Sequence, residues 1–327
     1  MFLTTFYRCL RTKPSIVFGP VPSRRLGTSL GVNNIPPKHC TYSCIYCQLG
    51  RTKTLEIERR KFYDSDEIVN QVIKAVESAE QKIDYITFVP DGEPTLDVNL
   101  GRTAEKIKEV VSIPLAVLTN SSLIFRDDVV RDLQVFDLVS VKIDAVDART
   151  WRLINRPHPD LKLSKILDGI KDFVSSFRGV IITETMLVSG VNDTISKCRR
   201  VVEFINSLSR VDKAYISVPI RPPSEPWVKP SSEDRILSCY SLMWEALSEG
   251  KVELMIGYEK SNFKLVGDPI QALLATTSVH PLRIDYARKY LSECGLDPDK
   301  VLSDLISRGE IVIAEYRGHR FVVRKIA

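Results

Sequence analysis

Three of the seven cysteines fall within eight positions: Cys40, Cys44 and Cys47 are separated by three residues and then by two. Thiolates that close in one loop are soft ligands, suited to zinc or to an iron–sulfur cluster, and the ligand count bears on which. A structural zinc site takes four ligands, usually drawn as two pairs. No second cysteine pair exists downstream. His39 is a fourth candidate, but side chains adjacent in sequence rarely reach one tetrahedral ion together. A [4Fe–4S] cluster held by three cysteines leaves one iron with an open position, which chemistry requires. Cys9, Cys198, Cys239 and Cys294 are scattered and read as buried or incidental thiols. The cysteine usage as a whole indicates a reduced compartment.

A second polar group comes from residues 138–144. At a period of two, Ser140, Lys142 and Asp144 share one face of a buried strand, and Val139, Val141 and Ile143 share the other. Inward-facing polar groups are costly there unless a ligand or water meets them. Asn120, with Ser121 and Ser122, stands just after another strand-like run, either at the same rim or as the cap of the next helix. Arg24, Arg25, Arg156 and Arg221 flank strand ends, where their forked geometry suits a phosphate or carboxylate substrate. His158 is a candidate proton donor. Tyr42 and Tyr46 read as shields of the metal. On the strand holding Thr183, Glu184, Thr185 and Met186 no group stands out, and Asn192 and Asp193 read as turn and cap.

The Cys-x3-Cys-x2-Cys spacing after the first strand, with Tyr46 in the aromatic position before the last cysteine, resembles the defining motif of the radical S-adenosylmethionine (SAM) superfamily. Residues 89–95, Val-Pro-Asp-Gly-Glu-Pro-Thr, are similar to that family's Gly-Gly-Glu-Pro motif, with Asp91 where the first glycine is common. More narrowly, Gly-Pro-Val-Pro-Ser-Arg-Arg-Leu-Gly at 19–27 and Cys-Gln-Leu-Gly at 47–50 resemble an archaeal and bacterial branch of iron–sulfur oxidoreductases. That branch is loosely grouped with the wyosine-forming tRNA enzymes.

The resemblance implies a [4Fe–4S] cluster on Cys40, Cys44 and Cys47, with SAM chelating the open iron. A one-electron reductant of flavodoxin or ferredoxin type would then drive cleavage to a 5′-deoxyadenosyl radical that abstracts hydrogen from a substrate. It further implies that Gly92, Glu93 and Pro94 receive the methionine amino group: Glu93 accepts from the ammonium, Gly92 permits close backbone approach and Pro94 stiffens the turn. Lys142 would pair with the methionine carboxylate, and Asp144 or Ser140 with the ribose hydroxyls. A structural Lys142–Asp144 ion pair is the competing reading.

The elements that must position these groups alternate. Short β-branched runs at 29–33, 85–89, 115–119, 138–143, 180–187, 214–220 and 252–256 predict strands. Helical periodicity is expected at 66–80, 99–111, 126–133, 165–175, 196–207 and 233–248. Repeated βα units imply an α/β fold with a parallel sheet, here a partial (β/α)6 barrel with ligands at the carboxyl ends of its strands. After residue 257 the pattern changes to helices at 270–275, 284–294 and 298–307, then alternating strands at 310–316 and 319–324 joined by Arg317-Gly318. This gives two domains, a radical SAM barrel with an N-terminal extension at 1–257 and a helical, winged-helix-like module at 258–327.

A chain of 327 residues with 44% hydrophobic and 27% charged residues is long enough and apolar enough for two packed domains. No run approaches the roughly 18 apolar residues of a membrane span, and residues 1–7 are too short and too lightly charged for a signal peptide, so no membrane partner and a cytoplasmic location are expected. A net charge of +5 neither demands nor excludes nucleic acid. On branch analogy the favoured substrate is a tRNA nucleoside; a small metabolite or a partner protein activated by the radical is the alternative. A zinc-binding winged-helix regulator is the hypothesis of a different class.

Overall fold

The computed structural model describes residues 15–248, 250–258 and 263–325. The expectations for residues 1–7 and for Cys9 lie outside the described residues, as does part of the segment following the 257/258 boundary. A strand pair opens the fold: β1 (Val17–Ser23) runs antiparallel to β2 (Gly27–Val32). Two-residue strands β3 (His39–Cys40) and β4 (Thr54–Leu55) then bracket the cysteine loop.

From there helices and strands alternate: α1 (Ser65–Glu77), β5 (Tyr85–Phe88), α2 (Leu100–Val110), β6 (Leu115–Thr119), α3 (Asp127–Leu133), β7 (Leu138–Lys142), α4 (Ala148–Asn155) and α5 (Leu163–Ser176). The alternation continues through β8 (Val180–Met186), α6 (Ile195–Asn206), β9 (Lys213–Ser217), α7 (Glu233–Leu247) and β10 (Val252–Met255). The main sheet has the order β1-β2-β5-β6-β7-β8-β9-β10, parallel between all neighbours from β2 to β10. It curls into an open half-barrel. The sheet has eight strands: the seven strand runs read from the sequence, one more than a (β/α)6 barrel has, and one that those runs do not include. The extra antiparallel strand, β1, contains Pro20 and Pro22, which break a strand pattern in sequence but are tolerated at an edge where one side of the backbone lacks a ladder partner.

The helices follow from their patterns. In α1 the Asp64 carboxylate caps the first turn by accepting from the Asp66 N–H, and Ile68, Val69, Val72 and Ala75 bury one stripe against the sheet. Helix α4 was not expected, because its apolar positions are few; Asp147 caps it by accepting from the Thr150 N–H, and Trp151 and Ile154 anchor it. The outer sheet face packs Leu30, Ile86, Val117, Val139 and Ile216 against the helices. The inner face has an apolar floor of Leu26, Ala116, Leu138, Ile182, Tyr215 and Met255. Above that floor, toward the strands' carboxyl ends, stand the charged side chains Lys142 and Glu184. Cys198 of α6 and Cys239 of α7, expected as separate thiols, are joined in a disulfide with both residues 2% exposed.

The C-terminal part comprises α8 (Pro269–Val279), β11 (Leu282–Arg283), α9 (Ile284–Glu293), α10 (Pro298–Ser307), β12 (Ile311–Tyr316) and β13 (His319–Arg324). Its sheet has the order β11-β13-β12. Arg317 and Gly318 both adopt positive φ, 51° and 73°, as a tight hairpin turn with right-handed twist requires. Leu273, Leu282, Leu291 and Val322 share one core with Phe18 and Val21 of β1, so the C-terminal part is packed onto the edge of the barrel.

Candidate active site

The cysteine loop runs from β3 to β4 with its backbone held by its neighbours. The Ser43 N–H donates to the carbonyls of Asn155 and Arg156 at 3.0 and 3.1 Å, and the Ile45 N–H donates to Ile154 at 2.9 Å. On the other flank the Ser224 hydroxyl donates to the carbonyls of Cys44 and Ile45, each at 2.9 Å. Arg156 has φ 45°, a left-handed end to α4 that turns the last carbonyls toward the loop.

Two amides point at sulfur. Asn120 Nδ2 lies 3.5 Å from Cys40 Sγ, and Asn155 Nδ2 lies 3.4 Å from Cys44 Sγ. Such donors orient thiolate ligands and tune an iron–sulfur cluster. Burial, with the nearby Glu93 charge, pushes the Cys40 thiol well up, and burial pushes Cys44 up to about 12, so ligation must displace their protons.

The turn after β5 meets this loop backbone to backbone. The Lys38 N–H donates to the Asp91 carbonyl at 2.8 Å and the Glu93 N–H to the His39 carbonyl at 3.2 Å. A Cβ on Gly92 would sit 1.9 Å from the His39 oxygen, so only glycine lets the two loops approach. Glu93 is 1% exposed and both of its oxygens accept hydrogen bonds. Oε1 accepts from the Thr95 N–H at 3.1 Å and from the Thr95 and Thr119 hydroxyls at 2.6 Å each; Oε2 accepts from the Asn120 N–H at 2.8 Å. Glu93 therefore ties the end of β5 to the end of β6. Pro94 begins a single 3-10 turn, Pro94–Leu96. Asp91 is the opposite case: it is 1% exposed, and neither carboxylate oxygen has a hydrogen-bond partner. Burial, only partly offset by Lys38, pushes it up to about 7.

Across the inner face runs a ladder of charges. Lys142 Nζ lies 3.0 Å from Glu184 Oε1 and 3.6 Å from Asp144 Oδ1, and Arg25 pairs with the other Glu184 oxygen. Asp144 also accepts from the Met186 N–H at 2.9 Å, Asn155 Nδ2 at 2.8 Å and the Tyr46 hydroxyl at 2.5 Å. Burial acts to raise the Glu184 carboxyl, but Arg25, Lys142 and the Ser217 hydroxyl outweigh it and hold it well below the ordinary carboxylate range. Burial likewise acts to lower Lys142, but Asp144 and Glu184 outweigh it and keep it charged.

A cavity of roughly 350 Å³ opens above this ladder, at the carboxyl ends of the strands. Its wall brings together Cys40, Cys44, Cys47, Asp91, Gly92, Lys142 and Glu184 with Arg24, Arg25 and Arg221. Arg24 Nη1 donates to the Met255 carbonyl at 2.7 Å. Arg221 reaches the Pro281 carbonyl at 3.1 Å, Gln48 Oε1 at 3.1 Å and His280 Nε2 at 3.0 Å.

Not every expected residue reaches the cavity. Glu93, Pro94, Asn120, Ser140 and Asp144 stand behind its wall as supports. Asn120 serves Cys40 and Thr41 and caps no helix. Arg156 and His158 open onto a different groove on the far side of the cysteine loop. Glu184 was passed over in sequence, although its inward position beside two threonines on a buried strand is the same signal that singled out Lys142. His280 and Gln48 carried no sequence signal, since their meeting depends on how the C-terminal part docks.

The donor set fits an iron–sulfur cluster. Among the described residues, no three His, Cys, Asp or Glu side chains converge as a single metal ion demands. The three cysteines all line one cavity, and three thiolates are the donor set of a cluster with one open iron.

Comparison with known proteins identifies the family. The radical SAM superfamily model matches residues 34–203. UPF0026 protein MJ1312 of Methanocaldococcus jannaschii is 42% identical over 313 residues, which cover 95% of this chain and 97% of that protein. The Probable dual-specificity RNA methyltransferase RlmN of Thermotoga petrophila is 23% identical over 65% of this chain and 61% of its own length. The solved structure of TYW1 with a lysine–pyruvate adduct bound superposes with a TM-score of 0.50 at 16% identity, over 68% of this chain and 76% of that one, and so shares the fold. Members of the superfamily use a [4Fe–4S] cluster and SAM. The zinc-binding regulator is thereby set aside, and the chain belongs to the radical SAM superfamily as one of its enzymes.

Proposed function

We propose that this enzyme binds its cluster through Cys40, Cys44 and Cys47 and acts on an anionic substrate, a tRNA nucleoside being the class favoured. The observation that carries the reading is that the three thiols, the Gly92 turn and the cationic side chains Arg24, Arg25 and Arg221 line one cavity. When bound, the reduced cluster and SAM supply a 5′-deoxyadenosyl radical able to abstract hydrogen. The chain's own residues position and shield that chemistry. Asn120 and Asn155 orient two of the thiolates. Glu93 Oε1 already accepts three hydrogen bonds and Oε2 one, whereas neither Asp91 oxygen has a partner, so we assign the methionine ammonium to Asp91. Lys142 is already committed to Glu184 and Asp144 and serves to hold the ladder that lines the inner wall. The arginines receive phosphate or carboxylate groups through forked hydrogen bonds. The RNA-directed name of the RlmN relative supports a nucleoside substrate.

Reconstituted anaerobically, the protein is expected to hold about four irons and four sulfides per chain. With a chemical reductant it should release 5′-deoxyadenosine from SAM, and deuterium should enter that product from labelled tRNA. A reduced, cluster-loaded protein that releases none would refute the reading. Asp91→Asn is expected to weaken equilibrium SAM binding by about tenfold, the loss of one charged hydrogen bond. Unchanged SAM affinity in that variant would return the ammonium to another group.

A further inference from the structure

The two asparagines that point at sulfur are each locked in one orientation, by different means. A side-chain amide can turn over, exchanging its NH2 for its oxygen, unless its partners forbid it. Asn120 Oδ1 accepts from the Ser122 N–H at 3.0 Å, and Nδ2 donates to the Thr41 hydroxyl at 2.8 Å. Turned over, its NH2 would meet a backbone donor. The adjacent chain thus keeps an N–H toward Cys40 Sγ, at 3.5 Å.

Asn155 depends on a residue outside its own turn. It is 3% exposed, and its Nδ2 lies 2.8 Å from Asp144 Oδ2, 3.4 Å from Cys44 Sγ and 3.5 Å from the Tyr46 hydroxyl. A carboxylate has only acceptors to offer, so Asp144 selects the NH2 and excludes the amide oxygen. The Tyr46 hydroxyl already donates to the same Asp144 oxygen at 2.5 Å. One Asn155 hydrogen goes to Asp144, and the other is left for Cys44. Asp144 is itself fixed, with a side chain 0% exposed. Its Oδ1 accepts from the Met186 N–H at 2.9 Å and faces Lys142 Nζ at 3.6 Å, while Asn192 Nδ2 donates to its carbonyl at 2.9 Å.

From this we infer that Asp144 is a positioning residue for the cluster: by locking the Asn155 amide it aims an N–H at Cys44 and raises the cluster's reduction potential. The inference rests on the ligand assignment above. A cluster that has gained one electron carries one more negative charge, shared with its coordinating sulfurs, so an N–H donor favours the reduced form. An amide oxygen turned to the same sulfur would favour the oxidised form. The charge of Asp144 acts the other way, because a nearby carboxylate opposes added negative charge. The two effects of Asp144 have opposite signs, and a double-mutant cycle separates them.

The test is an EPR-monitored redox titration of the reconstituted, SAM-free protein as wild type, Asn155→Leu, Asp144→Asn and the double variant. Asn155→Leu should disfavour reduction by about fivefold for one hydrogen bond lost, a potential roughly 40 mV lower at about 59 mV per tenfold. Made in the Asn155→Leu background, Asp144→Asn removes only a charge and should raise the potential. Made in wild type, it also frees the amide, so its shift should be less positive by about the same fivefold. Equal shifts in the two backgrounds would overturn the proposal, as would a wild-type potential in Asn155→Leu. Should a variant fail to fold or to hold iron, the wild type labelled with nitrogen-15 asparagine decides. Pulsed EPR of its reduced cluster should show two weakly coupled side-chain nitrogens, and one or none would overturn the proposal. A Cys44→Ala protein that keeps its cluster would instead refute the ligand assignment, whatever the potentials show.

Discussion

Two carboxylates two positions apart have opposite environments, and residue identity alone does not distinguish them. Glu93 accepts four hydrogen bonds and acts as a strut; Asp91 accepts none through its side chain. Asp91 titrates at about 7 when folded against an ordinary 3.8, because burial disfavours its charge. A carboxyl raised on folding costs nothing while protonated in both states, and its cost grows as pH climbs from near 4 to near 7. Stability of the cluster-free protein should therefore fall across that window by something of the order of 4 kcal/mol from this group. In Asp91→Asn this fall should be absent. Denaturant midpoints of both proteins at pH 5 and pH 8 check the sign, and a wild type that gains on Asp91→Asn with rising pH contradicts it.

At the scale of elements, the cysteine loop and the Gly92 turn act as a pair. They meet so closely that Gly92→Ala must displace the His39 carbonyl. That variant should lose both cluster iron and thermal stability, read together by iron assay and melting; retained iron would mean the loops need not touch. Elements on the outer face separate stability from chemistry. The Cys198–Cys239 bond closes a separation of 41 residues between α6 and α7. Cys239→Ala should cost about 4 kcal/mol by loop-closure entropy while leaving iron content intact. Cys44→Ala should do the reverse, abolishing the cluster. The sequence showed the sulfur atoms but not the pairing, because contact between helices 41 residues apart is a matter of packing.

Across the whole molecule, the C-terminal part completes the catalytic cavity. Val279 and His280 stand on its wall, and Gln48 Nε2 donates to the Val279 carbonyl at 2.9 Å, directly after the cysteine motif. Arg221 bridges Gln48, His280 and Pro281. The same part covers Phe18 and Val21 of β1. A chain ending before Asp268 should therefore expose an apolar edge and aggregate, as light scattering would report, where an independent domain would leave a soluble barrel.

Much of this protein was determined by its sequence. The spacing of Cys40, Cys44 and Cys47 pointed to metal chemistry, since ligand count and softness are properties of residue type. The seven parallel strands were legible because a buried sheet imposes apolar runs of fixed length. The role of each polar group was decided only by tertiary structure. Whether a carboxylate is a strut or an open acceptor, and whether an arginine faces the cavity or the back of the loop, depends on distant partners, Asn120 for Glu93 at 27 positions and Met255 for Arg24 at 231. No local pattern records such contacts.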